Sequence, residues 1–592
     1  MKETMNNMSR RKFITLAGGA ASFAAIAAMG LPTDWALNNP EVDVDSLNFD
    51  KIKTDVLVIG GGMAGLFAAV KAHDAGAKVL MVSKGRLGSS GQTPFAKGIF
   101  TYDPTKEKLS IDEFVATVSR SAIGSNNNVY TKQMAEHSLA RVNELKEWGF
   151  FESSLYNKSF SKPINDRNIP LQERVMITHL IKEDDKIVGA AGFSLDAEKI
   201  IFYEAKSVIL CTGAGGFKPN GFPICDLTHD GTIMAYNIGA KVTGKEWNDG
   251  HPGKATNAAA CYDGWGNMFE QKPSTTSIEV HHDLGVDMNY VAYVQGSPLK
   301  MGPPGSGESS SVTGGPTVLE EFSRKDTKPP GSKDGDKPGG GRPPKDGNGP
   351  KGDHPKDGDG PPGMGGSIVG GSSAGMAIHK AEGLVPINDQ CESTIPGLFA
   401  AGDALGSYMS GAIYTQIGSS LAGSAVQGAV AGKAAAEYSK TVKTVAISTN
   451  KINEIKEEIL APLKREAGFS AAWVTQTLQG IMIPNFIIYI KKENLLKGAL
   501  AYVEELRDHH IPMLRAKNFH ELRLVHETAN MIVTAEMKLK ASIMRTESRC
   551  SHYRLDYPET DNENWNVWIN IFKGEDGTMQ FEKQPFNTWP VS

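Results

Sequence analysis

The stretch TDVLVIGGGMAGLFAAVKAHDAGAKVLMVSKG at 54–85 constrains this 592-residue chain more than any other segment. DVLVI is a short apolar run rich in β-branched residues and reads as a buried strand. Gly60-x-Gly62-x-x-Gly65 follows at once. LFAAVKAHDAG then has helical spacing up to Gly76, and KVLMV reads as a second strand. A glycine triplet alone is a weak signal. Between a strand and a helix of one βαβ unit it marks a dinucleotide site. Gly60 permits the tight turn, Gly62 lets the backbone approach a pyrophosphate, and Gly65 lets helix and strand pack closely. Gly61, Met63 and Ala64 complete the turn, whose helix N-terminus offers free N–H groups to phosphate. An acid for the ribose hydroxyls usually ends the second strand. Here Ser83 stands there, followed by Lys84.

Two later segments narrow the cofactor to FAD. AKSVILCTGAGG (205–216) is an apolar strand running into Thr212-Gly213, and STIPGLFAAGDALG (393–406) is another strand ending in Gly402-Asp403. NAD enzymes need neither. FAD lies extended, and later strands close over its ribityl chain. Asp403 is expected to hydrogen-bond a ribityl hydroxyl.

With these stretches in place, the chain resembles the flavoprotein subunits of fumarate reductase and succinate dehydrogenase, with L-aspartate oxidase and adenylylsulfate reductase as relatives. LTHDGTIMAYNIGAKVTGKEWNDGHPG (227–253) and RTESRCSHYRLDYPETDNENW (545–565) carry the resemblance further. It implies an α/β fold: a two-dinucleotide-fold, Rossmann-like FAD-binding domain with an inserted capping domain and a C-terminal helical domain. It implies FAD contacts from Asp230, from the backbone at Val175, Met176 and Ile177, and from the amides of Ser420 and Leu421. It adds the stretch SSGQTPFAKG (89–98), with Ser90, Gly91, Gln92, Thr93 and Gly98. His251, in EWNDGHPG, matches the family's active-site histidine.

Three departures bear on chemistry. Covalent members attach FAD through a histidine where this chain has Gln92, so non-covalent FAD is expected. Dicarboxylate enzymes hold fumarate with a histidine and an arginine. The matching positions read Ser372 and Thr415 or Gln416. A carboxylate is best held by a bidentate cation, and these positions supply none. The nearest candidate for the family's catalytic arginine is Arg324. Fumarate and succinate are therefore doubtful substrates.

The expected organisation is an FAD domain at 50–252 and 366–440, interrupted by a divergent capping insertion at 253–365. Residues 450–592 follow as the helical C-terminal domain, with a hairpin over GEDG. Tract 325–365 is Gly, Pro, Lys and Asp with almost no apolar residue, a composition that cannot offset ordering entropy. Residues 1–36 read as a twin-arginine export signal: Ser9-Arg10-Arg11-Lys12-Phe13-Ile14 precedes an apolar run rich in Ala and Gly. The expected location is periplasmic.

The net charge of −5 gives no nucleic-acid footprint. The five cysteines form no CxxC or Cys/His cluster, so no metal, cluster or haem is expected on this chain. Electrons would pass to a separate iron–sulfur or haem partner. Membrane contact would come only through the signal segment or that partner. The leading expectation is an exported FAD-dependent oxidoreductase exchanging a hydride between FAD N5 and a small substrate. The alternatives are an adenylylsulfate-reductase-like flavoprotein docking an iron–sulfur partner, or a non-catalytic flavin electron-transfer subunit.

Overall fold

A computed structural model describes residues 47–95, 98–107, 109–152, 156–218, 226–248, 379–412, 418–483, 485–488 and 490–588. It adds Val44, Ala377 and the short strands Gly253–Lys254, Lys272–Thr275 and Ile368–Val369. Residues 1–36, expected to be an export signal, most of the expected capping insertion, the tract at 325–365, and His251, Arg324, Ser372, Thr415 and Gln416 lie outside the described residues.

The βαβ unit forms as its pattern dictates: β1 (Phe49–Ile59), α1 (Met63–Asp74) and β2 (Val79–Ser83). β3 (Leu171–Glu173), β4 (Val175–Glu183), β5 (Lys186–Ser194) and β6 (Ile200–Leu210) join them in one sheet, ordered β3-β2-β1-β6-β5-β4. β6 changes partner along its length. Its first half pairs antiparallel with β5, as in Tyr203 with Ala190. Its last residues pair parallel with β9 (Leu398–Ala400), while its other edge runs parallel to β1 throughout. Ile59, Leu210 and Ala400 are therefore in register and end together. Three segments the sequence kept far apart, 60–62, 211–213 and 401–403, leave the carboxyl edge of the sheet side by side. This is where open α/β sheets bind ligands.

Between β6 and β9 come α2 (Asp230–Asn237), β7 (Val242–Thr243) and β8 (Gly383–Leu384). After β9, α3 (Ser419–Thr441) crosses α1 at close range. A Cβ on Gly428 would lie 2.3 Å from the Ala64 carbonyl oxygen, and one on Gly432 would lie 2.4 Å from that of Ala68. Glycines one turn apart thus let the two helix backbones touch. Gly428→Val should force them apart at a cost of about 2 kcal/mol or more. A lowered midpoint in urea unfolding would register it.

The helical pattern after residue 448 gives α4 (Thr449–Lys464), α5 (Ala471–Met482), α6 (Glu493–Glu505) and α7 (Phe519–Met544). Ser448, Ser470 and Asn518 cap three of them, their side chains accepting from the N–H of Lys451, Trp473 and Glu521. The expected hairpin is β10 (Val567–Lys573) with β11 (Met579–Pro585), turning over 574–577.

The C-terminal helices share one core with a face of the sheet, where Ile455, Leu478 and Leu522 pack with Ile181, Phe193 and Phe202. The hairpin extends β7, with Ile571 opposite Val242. Among the described residues no helix is long and apolar enough to cross a membrane.

Candidate FAD site

A cleft with about 970 Å³ of empty space, counted to its open mouth, runs along the carboxyl edge of the sheet. The turn after β1 supplies Gly60, Gly61, Gly62, Met63 and Ala64 to its wall, and the end of β2 supplies Ser83 and Lys84. The loop that follows adds Ser90, Gly91, Gln92 and Thr93. β4 adds Met176, and the turns after β6 and β9 add Thr212, Gly213 and Asp403. Asp230 begins α2, and Ser420 and Leu421 begin α3. Two expected residues are not on the wall. Gly98 opens a short strand, Gly98–Thr101. Gly65 serves the turn from behind, since a Cβ there would lie 1.9 Å from the Gly60 carbonyl oxygen.

The turn is a cradle that side chains would fill. Gly60 has φ +124°, and a Cβ on it would lie 2.1 Å from the Cys211 carbonyl oxygen. Gly62, the N-cap of α1, offers no side-chain cap, and the first turn carries no acid. No carboxylate competes there with a phosphate. Thr93 Oγ1 takes the Met63 N–H at 3.2 Å and braces the helix start. Two buried polar atoms of the wall, Gln92 Oε1 and Thr212 Oγ1, have no hydrogen-bond partner within the protein. Buried polar groups are seldom left so. A bare helix start, a glycine cradle and unpartnered polar atoms along one extended cleft fit a dinucleotide such as FAD.

Ion pairs tie this wall to residues that no short motif reveals. Lys84 Nζ donates to Asp230 at 2.7 Å, to Glu527 at 2.8 Å and to Thr228 at 3.1 Å. Asn530 donates to Asp230 at 2.8 Å. Burial alone would lower the Lys84 ammonium, but Asp230 and Glu527 more than offset it and push it up. Burial would likewise raise Glu527, but Lys84, Lys218 and Arg523 hold it down at about 2. Lys84 therefore joins the end of β2 to α7, 443 residues away. Asp403 is expected to face the cofactor and does reach the wall. Both its oxygens already hold partners, Lys380 on one and His379 at 3.2 Å on the other.

A second buried cluster lies nearby. Glu382 accepts from Lys245 and Lys538, both at 2.6 Å, and its Oε1 is 3.0 Å from His229 Nδ1. It joins the start of α2, the segment after β7 and α7. Among the described residues no group of three or more His, Cys, Asp or Glu could hold a metal ion.

The FAD binding domain model matches residues 55–159, and the fumarate reductase flavoprotein C-terminal model matches residues 475–591. An uncharacterised FAD-dependent oxidoreductase of Methanocaldococcus jannaschii is 26% identical over 611 aligned positions, covering 91% of this chain and 99% of that protein. One chain of the CoM/CoB fumarate reductase of Methanothermobacter marburgensis is 23% identical over 572 positions, covering 86% and 95%. These matches support the fumarate reductase/succinate dehydrogenase flavoprotein superfamily for this chain. Two solved structures share its fold. Adenylylsulfate reductase of Archaeoglobus fulgidus has TM-score 0.67 and 19% identity over 93% of this chain and 98% of its own. Quinol fumarate reductase of E. coli has TM-score 0.67 and 16% identity over 92% and 98%. Like the superfamily, the protein is an FAD-dependent oxidoreductase.

Proposed function

We propose that the protein is an exported oxidoreductase that holds FAD without a covalent bond and acts on a small substrate other than a C4 dicarboxylate. The observation that carries this reading is the cleft. One glycine turn, two later strand ends and the unpartnered Gln92 and Thr212 atoms converge along it. When bound, FAD supplies hydride exchange at its N5.

The chain's own residues bind and orient it. The Gly60–Gly62 backbone receives the pyrophosphate. Val175, Met176 and Ile177 flank the adenine. Thr212 and Asp403 face the ribityl chain, and Ser420 and Leu421 face the flavin. Gln92 at the attachment position offers an amide, which cannot form the histidyl bond of covalent members. His251 polarises or protonates the substrate, and Arg324 is the nearest candidate for the family's catalytic arginine.

Ser372 and Thr415 or Gln416 at the dicarboxylate anchor positions support a different substrate class. The same departure supports a second reading, an adenylylsulfate-reductase-like flavoprotein. The chain carries no cysteine cluster for onward electron transfer, which supports a separate iron–sulfur or haem partner. The twin-arginine pattern at 9–14 supports export in the folded, flavin-loaded state.

The test is anaerobic. The purified protein is photoreduced, fumarate is added, and the visible flavin band is followed. The band should stay bleached with fumarate and return with an artificial acceptor. Rapid return with fumarate would contradict the substrate class. Prompt return with adenylyl sulfate, which takes two electrons to give sulfite and AMP, would favour the second reading.

A further inference from the structure

Asp403 stands on the cleft wall, but the group that governs it stands behind the wall. Lys380 is fully buried and sits at φ +65°, a left-handed conformation unusual for lysine. Its ammonium donates to the Asp403 carboxylate, to the Ser424 hydroxyl at 2.9 Å and to the Ser420 carbonyl at 3.0 Å. All three acceptors belong to cleft-lining residues. Three donors meet three acceptors, so the ammonium is fully engaged. The Lys380 carbonyl accepts from the Tyr408 N–H at 2.6 Å, which fixes the strained backbone. One buried cation thus joins the turn after β9 to the first turn of α3.

We propose that Lys380 is a positioning residue for the flavin: it compensates the Asp403 carboxylate and locks it against the start of α3. The proposal rests on the FAD reading of the cleft. It assigns Lys380 an electrostatic task, because Asp403 without its cation would present an uncompensated negative charge to that part of the cleft. Burial alone would raise the Asp403 carboxyl, but Lys380 and His379 outweigh it and hold the group well below the ordinary range. An electron-rich reduced flavin beside an uncompensated carboxylate is disfavoured, and in a low-dielectric site the effect is large.

The test uses the full chain with FAD, Lys380→Met, and the double variant K380M/D403N. FAD affinity and the flavin midpoint potential are measured at neutral pH, above the ordinary range of a carboxylate and below that of an ammonium. K380M should weaken FAD binding by on the order of tenfold or more, as breaking one side of a buried ion pair does. Its remaining flavin should have a more negative potential. K380M/D403N should recover most of the potential, because the two charges leave together. If K380M does not fold, Asp403→Asn reads the pair from the other side and should move the potential positive.

A lowered Tm with unchanged FAD affinity and potential in K380M would overturn the proposal and leave Lys380 a packing residue. An unmoved potential in D403N would do the same. A wild-type protein without flavin would instead overturn the FAD reading itself.

Discussion

Gly60→Ala will give a chain that purifies without FAD and unfolds at lower denaturant than the parent. Gly60 combines two demands that no other residue meets. Its φ of +124° is strained for any side chain, and its missing Cβ leaves room for the Cys211 carbonyl oxygen 2.1 Å from where that atom would be. The neighbouring atom is backbone in a buried parallel strand pair, so it cannot swing away. Backbone strain and overlap together should cost on the order of 4 kcal/mol. The turn that relaxes to relieve them is the one that receives the pyrophosphate. Flavin content and urea unfolding, measured on the same sample, check both halves. A G60A protein with full flavin content would show that the cleft is not where the dinucleotide sits.

The second large effect is expected at Glu382. Its carboxylate is 2% exposed and faces two lysines and a histidine. Burial would raise it, but Lys245, Lys538 and His229 hold it far below the ordinary value. Glu382→Gln keeps the shape and removes the charge, leaving two buried ammoniums with no anion between them. Destabilisation on the order of 4 kcal/mol follows, since removing one partner of a buried ion pair leaves an uncompensated charge. α2 and α7 should loosen together, visible as faster amide exchange in both helices.

The same cluster makes the parent protein acid-sensitive. Burial pushes His229 down to about 4 from 6.5, with Lys245 and Lys538 adding to it against Glu382. Between those values the unfolded chain binds a proton that the folded chain refuses. Stability is therefore lost as pH falls from 6.5 towards 4, by up to about 3 kcal/mol from this group. Below 4.5 the protonation of Glu382 in the unfolded chain continues the loss. A stability profile flat from pH 7 to pH 4 would contradict this cluster.

The turn at 60–65, the strand ends at 212–213 and 402–403, and the hairpin over 574–577 were legible because each is local. A few adjacent residues fix the conformation, through glycine, β-branching or turn chemistry. The caps at Ser448, Ser470 and Asn518 are local in the same sense, although the helical periodicity alone pointed to these helices. What was not legible is long-range. Lys84 reads only as a cofactor-site residue after β2, and its ion pair with Glu527 of α7 could not be read from the sequence. Lys380 reads as an ordinary lysine until its backbone turns left-handed and its ammonium reaches Asp403. Glu382 carries no motif at all, because its partners lie at 229, 245 and 538. The C-terminal helices read as amphipathic, with faces expected to be core. Their apolar faces gave no sign that a face of the sheet would be their partner, since an amphipathic stripe does not name what covers it.

The most direct test of the account is acid precipitation of the purified protein, with flavin measured in supernatant and pellet. The account predicts a flavin band before precipitation, and about one FAD per chain released into the supernatant, in keeping with an amide at position 92. Flavin left in the pellet would contradict the non-covalent site, and no flavin in either fraction would contradict the assignment of the cleft.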